Sequence, residues 1–83
     1  MRDLMEIPGV GKKMKAYLEA LGIHAVEDLA GQDPEELYRR DCALRGEPVD
    51  RCALYVYRLA VYYAETDRPD PAKLRWWAWK EKP

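Results

Sequence analysis

The chain has 83 residues and a formal net charge of −1; nearly half of its residues are apolar and about a third are charged. This length favours one domain with a modest core, and the composition is typical of a globular rather than a disordered chain. The near-neutral balance argues against a generally basic nucleic-acid binder. The chain contains no serine and one histidine, His24, which excludes a serine nucleophile.

Neither membrane insertion nor secretion is expected from this sequence. The apolar runs at residues 52–57 and 59–64 are both shorter than the ~20 residues that are needed to span a bilayer. Asp3 and Glu6 stand where a signal peptide would be basic and then apolar, so a cytoplasmic location is the expectation.

Cys42 and Cys52 are the only thiols in the sequence. They are too few to build a zinc site from cysteine and histidine alone. In a cytoplasmic chain we expect both to be buried, reduced and structural. No metal, no cofactor and no catalytic residue is therefore predicted, and the chain is not expected to be an enzyme.

The first part of the chain predicts two helices joined by a glycine-rich connection. A short helix over residues 2–7 is halted by Pro8, and a second helix over residues 12–21 is ended by Gly22. A further helical turn or two is expected over residues 25–30. The second helix carries an apolar stripe at helical spacing, formed by Met14, Tyr17, Leu18 and Leu21.

Two longer helices are predicted in the second half. Asp33 and Pro34 are typical of a helix start, and this helix is expected to reach about Arg45 and to end at Gly46. The next helix is predicted over residues 48–65; because it is apolar nearly all round, it should lie at the centre of the bundle. Its principal face is assigned to Val49, Cys52, Ala53, Val56, Ala60 and Tyr63.

The chain is predicted to end in an aromatic and basic tail. Asp70 and Pro71 start a last short helix, and we expect Leu74 and at least one tryptophan to pack on the bundle, because a free apolar tail would aggregate. The predicted organisation is a domain over residues 1–68 with a helical tail over residues 69–83 packed on it. The tail's aromatic and basic residues are Lys73, Arg75, Trp76, Trp77, Trp79, Lys80 and Lys82.

The stretch "IPGVGKK", residues 7–13, is the most informative motif. A P-loop would need a different glycine spacing after a strand, and a dinucleotide fingerprint would need glycine at Met14. Glycines remove side chains from an approach surface, and the N-terminus of the following helix can bind an anion. Lys12 and Lys13 stand in the first helical turn, where cations are unfavourable unless an external anion offsets them.

This stretch resembles the helix-hairpin-helix motif. A weak second helix-connection-helix unit occurs at residues 34–65, around "RGEPVD", without the Gly-x-Gly core. The matching residues of the first unit are Leu4, Ile7, Pro8, Gly9, Val10, Gly11, Lys13, Leu18, Leu21, Gly22 and Ile23.

The whole chain resembles the pathogenicity-locus family of small bacterial helix-hairpin-helix proteins. The stretches that carry this resemblance are "IPGVGKK", "DLAGQDPEELY", "GEPVDRCALYVYRLAVYYAE" and "LRWWAWK". The resemblance implies DNA binding without a known activity. Two residues depart from the pattern: Lys15 replaces a small residue and Asp41 replaces an apolar one, so we expect them either to pair with each other or both to lie at the rim.

The sequence therefore predicts an all-α, compact bundle of about five short helices that contains a helix-hairpin-helix motif. The expected function is weak, sequence-independent DNA binding to backbone phosphates, with no membrane partner. The alternative is a protein-interaction module, or a homodimer, in which the hairpin is only structural. The nucleic-acid-binding residues would be Gly9, Val10, Gly11, Lys12 and Lys13.

Overall fold

A computed structural model describes residues 2–80; Met1 and residues 81–83, which include Lys82 of the predicted basic tail, lie outside this range. The described residues are all-helical and contain no strand, which confirms the predicted class. Residues 2–80 contain three α-helices, α1 (Lys12–Ala20), α2 (Pro34–Arg45) and α3 (Arg51–Glu65). Four 3-10 helices complete the described chain, at Leu4–Glu6, Val26–Leu29, Pro71–Lys73 and Trp76–Trp79.

The short helices differ from the prediction in type and in number. The predicted helices at residues 2–7 and 25–30 are single 3-10 turns, and the predicted tail helix is two separate 3-10 turns. Segments this short gain too few backbone hydrogen bonds to offset the cost of starting an α-helix. Only the three longer segments with an amphipathic or fully apolar pattern form α-helices.

Helix α3 is the central element of the bundle, as its pattern predicts. It packs against α2, the Val26–Leu29 turn and the Trp76–Trp79 turn. Its buried residues differ from the predicted face, because Tyr57 is fully buried whereas Cys52 is exposed. Cys52 precedes Tyr57 by five residues and so lies about 140° away around the helix. The described core is formed by Leu4, Ile7, Val10, Leu18, Leu21, Ile23, Val26, Leu29, Leu37, Tyr57, Ala60 and Val61.

The thiols do not both lie in this core. Cys42 on α2 is half-buried, and Cys52 in the first turn of α3 is exposed. The expectation of two buried thiols is therefore wrong for Cys52.

Asp41 is fully buried and hydrogen-bonded rather than at the rim. The Nε and Nη2 atoms of Arg45 each donate to one of its carboxylate oxygens at 2.8 Å, and the Tyr57 hydroxyl donates to Oδ2 at 2.6 Å. The Arg45 guanidinium in turn lies 3.3 Å from the ring centroid of Tyr17. This network joins α1, α2 and α3 through polar and cation–π contacts.

Lys15 does not approach Asp41. Its ammonium Nζ lies 3.3 Å from Oδ2 of Asp3, at the start of the chain. Both parts of the expectation for Lys15 and Asp41 are therefore wrong. The cation that stabilises Asp41 is Arg45, one helical turn further along the same helix, where an i,i+4 pair is favoured.

The described part of the tail packs on one side of α3. The rings of Trp79 and Tyr62 lie 5.2 Å apart, and those of Trp76 and Tyr55 lie 6.4 Å apart and parallel. The Nη1 atom of Arg58 donates to the Trp79 carbonyl oxygen at 2.6 Å. These contacts fix the two 3-10 turns against the bundle, while the division of the chain at residue 68 stays a prediction.

Within residues 2–80 no helix combines the length and the apolar character that a transmembrane segment requires.

Candidate nucleic-acid interface

The connection between the first 3-10 helix and α1, residues 7–11, is here called the glycine connection. Within this connection Ile7 and Val10 are buried in the core, while Gly9 and Gly11 are exposed. The Val10 N–H donates to the Ile7 carbonyl oxygen at 3.1 Å, which closes the turn. The side chain of Val10 therefore anchors the connection, and its N–H is already used within the chain.

The two glycines of the connection differ in backbone conformation. Gly9 has a φ of 90°, a left-handed conformation that side chains rarely adopt, so the turn itself requires glycine. Gly11 has an ordinary extended backbone, with φ −100° and ψ −169°, and a Cβ built on it would meet no atom within 4 Å. Neither the backbone nor the packing of the described residues requires glycine at position 11.

The N-terminus of α1 lies open at Gly11. The N–H groups of residues 11–14 have no acceptor among residues 2–80, and the first bonded one is that of Lys15, which donates to the Gly11 carbonyl oxygen at 2.9 Å. By contrast, the Asp33 and Asp50 carboxylates accept N–H groups at the starts of α2 and α3. Of the α-helices in the described chain, only α1 leaves its N-terminal donors and dipole without a side-chain acceptor.

Two cationic side chains flank these donors. Lys12 and Lys13 are exposed in the first turn of α1, which carries no acidic residue. Neither ammonium forms an ion pair with a carboxylate in the described part of the chain, whereas Lys15 on the same helix is paired with Asp3. The structure thus brings Gly9, Gly11, Lys12 and Lys13 together on one exposed edge, with Val10 beneath them.

A groove runs beside this edge, and the sequence alone did not indicate it. The connection between α2 and α3, residues 46–50, is here called the second connection; it forms the opposite wall of the groove and so lies beside the glycine connection. The cavity is about 570 Å³, with apolar, basic and acidic groups around it. Its lining residues are Gly11, Lys12, Lys13, Met14, Tyr17, Arg45, Glu47, Pro48, Val49, Asp50 and Ala53.

The helix start that follows the connection between α2 and α3 is capped by a carboxylate, whereas the helix start that follows the glycine connection is not. The Asp50 carboxylate accepts the N–H of Cys52 at 2.8 Å and so occupies the N-terminus of α3. This hydrogen bond lowers the pKa of Asp50, so its negative charge persists at neutral pH. The weak repeat around "RGEPVD" is the signal that could have placed the two connections together, but only the first can accept an external anion at its helix start.

Comparison with known proteins identifies the family. The model of the pathogenicity-locus (Cdd1) family matches residues 1–83, and the chain belongs to this family, as the resemblance predicted. The Mitomycin resistance protein McrB of Streptomyces lavendulae is 36% identical over 75 residues, which cover 90% of this chain and 68% of that protein. No solved structure matches the chain significantly.

Proposed function

We propose that residues 4–20 form a helix-hairpin-helix motif and that the chain binds DNA weakly and without sequence preference through it. The open N–H groups at the start of α1 would bind one phosphate, and Lys12 and Lys13 would contribute charge to the neighbouring phosphates. The proposed role is binding without catalysis, in the cytoplasm.

The observation that carries this proposal is the contrast at the helix starts. Asp33 and Asp50 fill the N-termini of α2 and α3, whereas α1 begins at Gly11 with exposed donors and two lysines. A cationic first turn destabilises an isolated helix, and a bound phosphate would reverse this effect. The absence of a side chain at Gly11, which the described fold does not require, leaves room for a phosphate to approach the backbone.

The charge of the chain bears on the strength of the proposed complex. The net charge of −1 and the acidic residues between positions 27 and 36 oppose a strong nucleic-acid complex. The proposed affinity is therefore low, with a dissociation constant of roughly 10⁻⁴ to 10⁻⁶ M.

The test is a fluorescence-anisotropy titration of the full chain against labelled duplexes and single strands of several sequences, over a series of salt concentrations. Because about 2–4 phosphates would be contacted, log K against log salt should fall with a slope on the order of −2 to −4, and the affinity should be alike for all sequences. Absence of salt-dependent binding to any of these probes at low salt would leave the hairpin structural and favour the protein-interaction role.

Three lysines of α1 provide the variant and its control. Replacing Lys12 and Lys13 together by alanine should weaken binding to every sequence and reduce the slope by about two units. Lys15→Ala removes one charge from the same helix and is the matched control for Lys12→Ala and Lys13→Ala singly; because Lys15 is paired with Asp3, its slope should stay close to that of the wild type. Equal losses from Lys12→Ala, Lys13→Ala and Lys15→Ala would point to general charge rather than to the proposed interface.

A further inference from the structure

The tail carries an exposed aromatic ring that the proposed interface does not use. The Trp77 side chain is 51% exposed, and the large exposed apolar side chains elsewhere in residues 2–80 are Met5 and Leu44. Trp76 and Trp79, on the same 3-10 turn, are both half-buried. One tryptophan of the three therefore faces solvent while its neighbours pack on the bundle.

Trp77 stands on a fixed aromatic support. Its ring meets that of Trp76 edge to face, with the centroids 5.6 Å apart, and Trp76 lies parallel to Tyr55 of α3. The Trp76–Trp79 turn is tied to the preceding 3-10 turn by the Trp79 indole Nε1, which donates to the Lys73 carbonyl oxygen at 2.8 Å. Edge-to-face and offset-parallel contacts are favoured arrangements of aromatic rings, so the exposed ring is held in a defined orientation.

Two basic side chains lie beside this ring and its support, Arg75 at Trp77 and Lys80 at Trp76. Residues 71–80 contain Lys73, Arg75 and Lys80 and no acidic residue. None of these three forms an ion pair with a carboxylate within the described range. The Arg75 guanidinium lies 5.8 Å from the Trp77 ring centroid, and the Lys80 ammonium lies 5.9 Å from that of Trp76. A rigid exposed ring bordered by cations that have no carboxylate partner within residues 2–80 fits a ligand that is both planar and anionic.

We propose that this tail surface is a second nucleic-acid contact, in which Trp77 stacks on an unpaired base while Arg75 and Lys80 contact the adjoining phosphates. Base stacking on exposed aromatic rings beside basic side chains is a general mode of single-strand recognition. The inference rests on the proposed function for the class of ligand, but it uses none of the hairpin residues. It makes single-stranded DNA, or a duplex with unpaired bases, the preferred form of the ligand.

A membrane surface is the other ligand that tryptophan and basic residues can serve, and the geometry fits it less well. Interfacial segments present an apolar face of several side chains along a helix. Here the turn Trp76–Trp79 has four residues, and two of its three indoles pack inward on α3. A single exposed ring matches one base better than it matches an acyl layer.

The experiment compares Trp77→Ala with Leu44→Ala in the full chain. Leu44 on α2 is 55% exposed, so the control removes a similarly exposed apolar side chain away from the tail. The probes are an oligothymidine single strand, an oligonucleotide of the same length with abasic positions, a fully paired duplex and vesicles of anionic phospholipid. Circular dichroism and thermal melting verify that each variant is folded.

The expected result is a roughly tenfold loss of affinity for the oligothymidine with Trp77→Ala and no loss with Leu44→Ala. The abasic strand and the duplex should be affected little, and tryptophan fluorescence of the wild type should be quenched by the oligothymidine more than that of the Trp77→Ala variant. Unchanged oligothymidine affinity, an equal loss for duplex, or Trp77-dependent binding to vesicles alone would each overturn the inference.

The hairpin variants keep the two proposals separable. If replacing Lys12 and Lys13 weakens DNA binding while Trp77→Ala does not, the tail inference fails and the proposed function stands. If Trp77→Ala weakens single-strand binding while the lysine variant does not, the hairpin proposal fails and the tail remains a contact.

Discussion

At the scale of single residues, Asp41 shows how the fold accommodates a charge in its core. An unpaired buried carboxylate would be strongly destabilising, but three hydrogen bonds from Arg45 and Tyr57 satisfy this one. Burial and the hydrogen bond to Asp41 raise the pKa of Tyr57 far above its ordinary value. Its hydroxyl therefore remains a protonated donor throughout the neutral range.

We predict graded losses of stability when this network is cut. Tyr57→Phe keeps the ring and removes one donor to a charged group, so the free energy of unfolding should fall by about 1–2 kcal/mol. Asp41→Ala leaves the Tyr57 hydroxyl and the partly buried Arg45 guanidinium without their acceptor, and should cost about 3 kcal/mol or more. Urea unfolding of both variants measures these changes.

The double variant provides the control for this network. Once Asp41 is absent, the Tyr57 hydroxyl has lost its partner, so the losses of the two single variants should not add. Additive losses, or a neutral Tyr57→Phe, would show that the hydrogen bond contributes nothing to stability.

The sequence could indicate some of these residues but not their partners. Gly9 was predictable, because a left-handed turn after Pro8 demands glycine, and the structure gives it a φ of 90°. The pairing of Asp41 with Arg45 was within reach, since i,i+4 partners meet on a helix. The contacts of Tyr57 and Tyr17 with that pair depend on how α1 and α3 pack on α2, which periodicity does not specify.

At the scale of elements, the orientation of the tail's aromatic rings depends on tertiary packing as well as on the local sequence pattern. Trp79 is half-buried, packs on Tyr62, and its indole donates a hydrogen bond, whereas Trp77 projects into solvent. The sequence predicts that at least one tryptophan packs on the bundle, and in the structure Trp76 and Trp79 do so. Which one faces outward depends on the break between the two 3-10 turns, which the sequence pattern had merged into one helix.

The two tryptophans form a matched pair for testing the tail. Trp79→Ala should lower Tm by about 10 °C or more, because it removes a packed ring and a hydrogen bond from a small domain. Trp77→Ala removes the same side chain from a largely exposed position and should change stability by no more than about 0.5 kcal/mol. Thermal melting by circular dichroism decides this, and equal shifts for the two variants would contradict the packing of the tail on α3.

The capping residues of α2 made its boundaries predictable, whereas α3 begins at Arg51, after its cap Asp50, and not at the predicted residue 48. Asp33 with Pro34 at the start of α2 and Gly46 at its end were read from the sequence, and the structure places them there. The buried residues of α3 were not predictable, because a helix that is apolar nearly all round shows little difference between its faces. The contacts of α3 with α2 on one side and the tail on another leave Cys52 exposed.

At the scale of the whole molecule, the glycine connection and the connection between α2 and α3 border one groove but differ in their electrostatics. The first ends in the open start of α1 with Lys12 and Lys13, and the second ends at Asp50, whose carboxylate occupies the start of α3. Among the described residues, this edge therefore has one helix start without a side-chain cap, that of α1. The all-α class and the family follow from the sequence, whereas the groove between the two connections, which Tyr17 and Arg45 line in contact with each other, is a product of tertiary packing.

Gly11 allows the binding claim to be tested apart from the fold. Gly11→Asp places at α1 the same cap that α2 and α3 already have, at a position with an extended backbone and no atom within 4 Å of a new Cβ. Aspartate is at least as good a helix cap as glycine, so stability should be unchanged or rise by a few tenths of a kcal/mol. The same carboxylate would occupy the N–H groups and repel a phosphate.

The most direct measurement is the DNA affinity of Gly11→Asp alongside its urea unfolding. The control is Ala16→Asp, which adds the same charge at an exposed position five residues further along α1. If the start of α1 binds phosphate, Gly11→Asp remains at least as stable as the wild type and loses DNA affinity tenfold or more, while Ala16→Asp loses far less. A Gly11→Asp variant that is folded and binds DNA as tightly as the wild type would contradict the account.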